Sequence, residues 1–123
     1  MIAVLFELEP LGGQRDAYLA LAAELKPVLE EIDGFVSIER FQSLSNPDKL
    51  LSLSVFRDEA AVAAWRNTML HRRAQAAGRL AIFRDYRLRV ASVLRDYGMT
   101  ERAEAPADSR AAHGPGRPAA NAG

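Results

Sequence analysis

In the first ten positions of the chain, an apolar residue occupies every second position, and Ala3, Leu5, Glu7 and Glu9 lie between these residues. A period of two places the apolar side chains on one face of an extended segment, so we expect a β-strand that ends at Pro10. The two glycines that follow are typical of a turn. The apolar positions of this strand are Ile2, Val4, Phe6 and Leu8.

Two later segments carry apolar residues every three or four positions, which predicts amphipathic helices. The first covers residues 14–32 and contains Pro27. Because proline removes a backbone donor, we expect a kink there. Gly34, just past the end of this helix, suits a left-handed cap. The second helix, capped by Asp58, is expected to run to about Ala77.

Three further strands complete the pattern, at residues 35–42, 50–56 and 82–95. Turn-forming residues at 45–48 join the first two of these strands into a hairpin. The order β-α-β-β-α-β predicts an α+β, ferredoxin-like fold with a four-stranded antiparallel sheet and both helices on one face. The other face of such a sheet needs a cover, so we expect a symmetric homodimer.

Composition and charge limit the classes of protein to which the chain can belong. It has 123 residues, of which 49% are hydrophobic, and this fits one globular domain. Lys plus Arg equals Asp plus Glu, at 16 each, and no apolar run is long enough to span a membrane. The first ten residues lack the basic start of a signal peptide. We therefore expect a cytoplasmic protein that binds neither nucleic acid nor membranes. With no cysteine and two histidines, we expect no metal site.

A change of composition near Gly98 predicts a domain boundary. The segment 99–123 is rich in Ala, Gly and Pro and contains no Leu, Ile, Val or aromatic residue. Such a segment buries too little apolar surface to offset its ordering entropy. We therefore expect a folded domain at residues 1–98 and a disordered tail at residues 99–123.

The second predicted helix holds the side chains best suited to chemistry. His71 is the only histidine of the predicted domain, and an imidazole titrates near neutrality, so it is the natural general base. Trp65 suits the wall of a pocket or a core anchor. Asn67 suits the orientation of a substrate oxygen, or it faces solvent. We expect Trp65 and His71 to border one hollow; the alternative is a histidine on the surface.

Arginine is concentrated in the second half of the chain. Of 14 arginines, eight lie between Arg66 and Arg95, with Asp85 as the one acid among them. These arginines, Arg72 among them, could form a socket for an anionic ligand such as a carboxylate or a phenolate. Alternatively, a basic face meets an acidic one, within a subunit or between subunits. The sequence leaves both interpretations open.

Four segments, in this order and spacing, resemble the antibiotic biosynthesis monooxygenase family. The resemblance covers nearly all of residues 1–98. The segments are GFVSIERFQS at 34–43, KLLSLS at 49–54, Trp65-Arg66-Asn67 followed by His71-Arg72, and DYRLRV at 85–90.

This resemblance implies a ferredoxin-like subunit of a dimeric α/β barrel, with a site between sheet and helices and Trp65 at the position of the family's tryptophan. It implies a cofactor-independent monooxygenase that oxidises a small aromatic substrate (a phenolic, quinol or enolic compound) with O2. His71 would deprotonate the hydroxyl, and Asn67 and Arg72 would hold the anion. Two alternatives stay open. One is a non-catalytic dimeric small-molecule-binding or stress-related module, and the other is a haem-binding or haem-degrading protein.

Overall fold

A computed structural model of the chain describes residues 1–77 and 82–114, with the backbone alone for residues 70–77. The chain divides into two units, and the boundary between them along the sequence lies between Ser92 and Val93. The first unit contains a sheet and two helices, and the described part of the second unit, residues 93–114, contains one short helix. The elements are β1 (Ile2–Pro10), α1 (Arg15–Glu30), β2 (Phe35–Gln42), β3 (Leu50–Phe56), α2 (Glu59–Ala77), β4 (Phe83–Ser92) and α3 (Ala107–His113).

The four strands form one antiparallel sheet in the order β2-β3-β1-β4. With the element order β-α-β-β-α-β, this confirms the predicted α+β, ferredoxin-like fold. The register places Arg40, Ser52, Phe6 and Leu88 in one row across the sheet, because each residue is directly opposite the next. Opposite residues of paired strands point to the same face, so these four side chains share the face that carries the helices.

Helix α1 is continuous from Arg15 to Glu30 and passes through Pro27. The kink expected at Pro27 stays a prediction. The chain then turns at Gly34, whose φ of +92° lies in the region that glycine tolerates and other residues avoid. Helix α1 itself ends at Glu30 with Glu31 as a right-handed C-cap, so the left-handed glycine belongs to the turn before β2 and the prediction that it caps the helix is wrong.

The amino end of α2 is held by Asp58, as the sequence predicts. The amide of Ala61 donates to Asp58 Oδ1 over 2.9 Å, which satisfies one of the free N–H groups of the first turn. Arg57 pairs with Asp33 at 3.2 Å and with Asp58 at 3.1 Å, so its guanidinium joins the end of α1 to the start of α2. The junction between β3 and the two helices is therefore held by backbone and side-chain bonds together.

Two apolar clusters form the core between the sheet and the helices. One lies around Phe56, where half-buried residues including Trp65 pack against it. The other lies around Tyr18 and includes the start of β4. Their buried members are Val4, Phe56, Ala61 and Val62 in the first, which we call the Phe56 cluster, and Leu8, Tyr18, Leu50 and Ile82 in the second, the Tyr18 cluster.

The second unit is organised around the buried side chain of Arg102. Its guanidinium donates to the carbonyl oxygens of Gly98 at 3.1 Å, Gly114 at 3.0 Å and Ser109 at 3.3 Å, and also to the hydroxyl of Ser109. It lies over the ring of Tyr97, 5.5 Å from the centroid. The structure thus differs over residues 99–114 from the expected disordered tail, because one arginine satisfies several carbonyls where apolar burial is scarce. Residues 115–123 lie outside the described residues.

Candidate functional site

Two buried serines separate the apolar clusters on the helix side of β3. Leu50 belongs to the Tyr18 cluster and Phe56 to the Phe56 cluster, and the inward-facing positions between them are Ser52 and Ser54. Ser52 is 7% exposed and Ser54 is 3% exposed. Within the described part of the chain, neither hydroxyl forms a hydrogen bond with another side chain. None of the described side chains has a nitrogen or oxygen that is both fully buried and without a partner, so these two hydroxyls remain accessible and are free to bond to a polar ligand above the sheet.

Four aromatic rings line the sheet beside the serines. Phe6, on β1 directly opposite Ser52, contacts the ring of Phe83 at 5.7 Å and the ring of Tyr86 at 5.6 Å, both edge to face. Phe83 also contacts Tyr18 of α1 at 5.9 Å. Edge-to-face contacts at these distances are favourable, so the rings form one continuous apolar wall. We call Tyr18, Phe83, Phe6 and Tyr86 the aromatic wall.

The helix side of β4 is open at its surface. Tyr86, Leu88 and Val90 are paired with inward-facing residues of β1, yet all three are exposed. An open hollow of about 390 Å³ lies at the start of this strand and is lined by residues 82–86. Exposed apolar side chains on the helix side of β4 give an apolar ligand a surface to pack against. We call the helix-side surface that runs from the serines across the aromatic wall to β4, with this hollow at the start of the strand, the trough.

Arg40 lies at the opposite side of the trough, on β2. Its side chain is half-buried, and its Nε donates to the hydroxyl of Tyr18 over 3.4 Å. Among the described residues it has no carboxylate within ion-pair distance. The residues whose side chains the structure does not describe, 70–81 and 115–123, contain no Asp or Glu. The guanidinium of Arg40 is therefore a cation beside the trough without an acidic side chain to pair with.

Two arginines of β4 have acidic partners on β1. Arg84 donates to Glu9 over 2.7 Å, and Arg89 pairs with Glu7 at 3.3 Å. The hydrogen bond from Arg84 holds the pKa of Glu9 below its ordinary value of 4.5. These pairs fit the second interpretation of the arginine-rich segment, a basic strand against an acidic one within the subunit.

The predicted site residues fall into two groups. Trp65 is half-buried and packs against Phe56 with a centroid distance of 6.1 Å, which is the contact of a core anchor. Asn67 is exposed on α2, so its role at a substrate stays a prediction. The side chains of His71 and Arg72 lie outside the described residues, although the backbone of α2 carries both positions. The hollow shared by Trp65 and His71 therefore stays a prediction.

Arg40, Ser52 and Tyr18 were not among the residues that the sequence singled out for a ligand. The signal that could have found them is the inward-facing pattern of β3, where Leu50 and Phe56 enclose two serines at positions that a core normally fills with apolar groups. Among the side chains that the structure describes, Ser52 and Ser54 have no partners of a catalytic triad, but a substrate-binding role needs no triad.

Among the described residues, no group of three or more His, Cys, Asp or Glu side chains is arranged to hold a metal ion. In the same part of the chain, no helix has the length and apolar character needed to cross a membrane.

Comparison with known proteins decides the family. The sequence model of the antibiotic biosynthesis monooxygenases matches residues 1–77, which contain β1 to α2. The chain belongs to the antibiotic biosynthesis monooxygenase family. A relative from Pyricularia oryzae named jasmonate monooxygenase ABM is 47% identical over 93 residues, or 76% of this chain. The chain spans only 43% of that relative's length.

Solved structures of other proteins share the fold of this antibiotic biosynthesis monooxygenase family member. Rv0793 from Mycobacterium tuberculosis has a TM-score of 0.66 at 22% identity, covering 79% of this chain and 98% of its own. A Deinococcus radiodurans protein described as an antibiotic biosynthesis monooxygenase has a TM-score of 0.67 at 13% identity, with 80% and 97% covered. A variant of MhuD with manganese protoporphyrin IX bound has a TM-score of 0.64 at 18% identity, with 80% and 99% covered. At these identities, the likeness shows the fold alone.

Proposed function

We propose that this chain is a monooxygenase that uses O2 to oxidise a small phenolic, quinol or enolic compound bound in the trough, without a cofactor. The observation that carries the proposal is the family membership together with two serine hydroxyls that bond to no other described side chain, beside an aromatic wall. The apolar wall suits the body of an aromatic substrate, and the serines suit its oxygen atoms.

The proposed chemistry starts with proton removal from the substrate hydroxyl by His71. The resulting anion is electron-rich and can pass an electron to O2, and Arg72 and Asn67 would hold the negative charge. For a phenol with a free para position, one oxygen atom enters the ring and the other leaves as water, giving a quinone. The substrate supplies all the electrons, so this reaction needs no external reductant.

Oxygen uptake tests the proposal. The purified chain is incubated with a panel of hydroquinones, phenols and anthrones under isotope-labelled O2, and we expect one labelled atom in the quinone product. His71→Ala should abolish the uptake, while His113→Ala, which changes the other histidine of the chain, should leave it unchanged. Uptake at the same rate in His71→Ala would reject the proposed base.

The name of the Pyricularia oryzae relative adds jasmonate to the panel. Hydroxylation of jasmonate consumes two electrons beyond those that the C–H bond supplies, so this substrate is tested with and without an added reductant. Binding of panel compounds without any oxygen uptake would favour a binding module over an enzyme. Hemin titration tests the haem alternative, since a haem site at His71 would give a Soret shift that His71→Ala loses.

We also propose that the helix-free face of the sheet pairs with a second copy of the chain. The register places Leu5, Leu51, Leu53, Val55 and Phe41 on this face. Phe41 is exposed, and the four aliphatic side chains are only half-buried, so a contiguous apolar surface faces solvent in one copy. A symmetric dimer would cover it. Sedimentation analysis should find a dimer, and Leu53→Lys should give a folded monomer.

A further inference from the structure

We propose that Arg40 binds a carboxylate of the substrate, with the hydroxyls of Ser52 and Tyr18 as further donors, so that the substrates of this site are apolar monocarboxylic acids. The inference rests on the proposed function for the location of the site. It adds the group that anchors the substrate and the end of the trough at which that group binds.

The bonding state of Arg40 is the first argument. Nε is the one nitrogen of its guanidinium that has a hydrogen bond among the described residues, and the acceptor is the phenol oxygen of Tyr18. The two terminal nitrogens are therefore available to a ligand. A planar guanidinium matches the two oxygens of a carboxylate, which makes this the anion that such a group binds most specifically. Because Tyr18 accepts from Arg40, its own hydroxyl proton is left to donate.

The sheet register is the second argument. Arg40 and Ser52 are directly opposite each other on β2 and β3, and their Cα atoms are about 5 Å apart in such a pair. The Ser52 hydroxyl lies on the same face as the guanidinium and has no hydrogen bond to another described side chain. A carboxylate between Arg40 and Ser52 could accept hydrogen bonds from both groups at once.

The apolar surface that continues the row is the third argument. The next residue across the sheet is Phe6, two strands from Arg40, or roughly 10 Å. Its ring belongs to the aromatic wall, and beyond it lies the exposed side chain of Leu88. A molecule lying along this row meets a cation, then a hydroxyl, then apolar surface. This order fits an acid whose carboxylate is separated from its reactive part by several carbon atoms.

The acidic side chains of β1 do not compete with a ligand for Arg40, because they are paired with other residues. The acids of β1, Glu7 and Glu9, are at positions that alternate with the inward-facing ones, and they pair with Arg89 and Arg84 and with Lys49 and Asn46. Arg84, although it lines the hollow, is committed to Glu9. Among the described arginines that line the trough, Arg40 is thus the one left for a ligand.

Equilibrium binding tests the proposal without reference to turnover. Isothermal titration of the full chain with jasmonate, 4-phenylbutyrate and decanoate is compared with titration using their methyl esters, which keep the shape and lose the charge. We expect each acid that binds to be held about ten- to a hundredfold more tightly than its ester. Acids and esters of equal affinity, or no binding by any acid of the panel, would overturn the proposal.

Variants test whether Arg40 supplies the positive charge that binds the carboxylate. Arg40→Met keeps the aliphatic stem, so we expect it to weaken the acids about tenfold or more and leave the esters unchanged. Ser52→Ala should weaken the acids by a few-fold. The matched control is Arg15→Met, an exposed arginine at the start of α1, which should change neither affinity. Equal weakening of acids and esters by Arg40→Met would assign Arg40 a structural role and reject the proposal.

The two proposals fail in different ways. Acid-selective binding that His71→Ala preserves, without oxygen uptake, would keep the carboxylate site and reject the monooxygenase. Oxygen uptake with neutral phenols, without any preference for acids over esters, would keep the monooxygenase and reject the carboxylate site. If Arg40→Met fails to fold, the comparison of acid with ester on the unmodified chain still decides the question.

Discussion

Gly34 and Ala61 are in close contact at the junction between β2 and α2. A Cβ atom placed on Gly34 would lie 2.8 Å from the Cβ of Ala61, closer than two carbon atoms can pack. The amide of Arg57 also donates to the carbonyl of Gly34 over 2.7 Å, so the backbone here has little freedom to move away. The helix therefore packs against this turn at a distance that only glycine allows.

Replacing Gly34 should be strongly destabilising. Gly34→Ala combines a φ of +92° with the steric clash against Ala61, so we expect the free energy of unfolding to fall by about 2–4 kcal/mol. Chemical denaturation measures the change. Gly13→Ala is the matched control, because its φ is +79° but no atom lies within 4 Å of the added Cβ. It should cost only about 1 kcal/mol, and equal losses in the two variants would contradict the packing argument.

Two leucines separate the contribution of the core from that of the surface. Leu29 is 2% exposed, so Leu29→Ala should lower the free energy of unfolding by about 2–5 kcal/mol through lost burial and a residual cavity. Leu44 is 101% exposed, and Leu44→Ala should change it by less than about 0.5 kcal/mol. Urea denaturation compares the two variants. A loss for Leu44→Ala as large as that for Leu29→Ala would show that Leu44 is covered in solution.

Asp58 combines two roles that a pair of variants separates. Asp58→Ala removes both the cap on the Ala61 amide and the ion pair with Arg57, so we expect a lower melting temperature. Asp58→Asn keeps a capping oxygen and removes the charge, so it should retain most of the stability because exposed ion pairs contribute little. Thermal unfolding followed by circular dichroism checks this order. A loss in Asp58→Asn equal to that in Asp58→Ala would make the charge the dominant contribution.

The Glu9–Arg84 pair predicts a loss of stability in acid. The hydrogen bond from Arg84 lowers the pKa of Glu9 in the folded state, so the unfolded chain binds the proton more readily. The stabilisation is present above the ordinary pKa of 4.5 and is lost as the pH falls through the lowered value. Glu9→Gln should therefore melt below the unmodified chain at neutral pH, and the difference should vanish in acid.

The control for this pH dependence is Glu24→Gln, an exposed glutamate of α1. Its melting curve should follow that of the unmodified chain at every pH. A difference between Glu9→Gln and the unmodified chain that persists unchanged in strong acid would show that the charge of Glu9 is not its cause.

The fold could be predicted because its signals are local. The period-two strand at Ile2–Pro10 and the three-four spacing of α1 each depend on neighbours along the chain. The hairpin strands β2 and β3 have the predicted bounds, and β4 is shorter than predicted at both ends. Gly34 as a turn residue and Asp58 as a helix cap were identifiable for the same reason, since turns and N-caps depend on adjacent residues.

The candidate site was harder to predict because it depends on strand register. Arg40 lies beside Ser52 only because β2 and β3 pair in one particular alignment, which no local pattern specifies. Histidine and tryptophan can be chosen as candidate site residues from their side-chain chemistry alone, whereas a serine between two leucines cannot. The order in the second unit was also difficult to predict from the sequence. It depends on hydrogen bonds from Arg102 to carbonyl groups, and the hydropathy pattern does not indicate such bonds.

The serines of β3 also indicate how this architecture can gain or lose chemistry. The strand, its register and the helix packing do not depend on these two hydroxyls. Leucine or valine at both positions would therefore make this surface of the site apolar and leave the fold intact. An inert protein and a ligand-binding one of this shape can thus differ at two neighbouring sites. A chain with the same topology and apolar groups at those sites would be a sound candidate for a purely structural role.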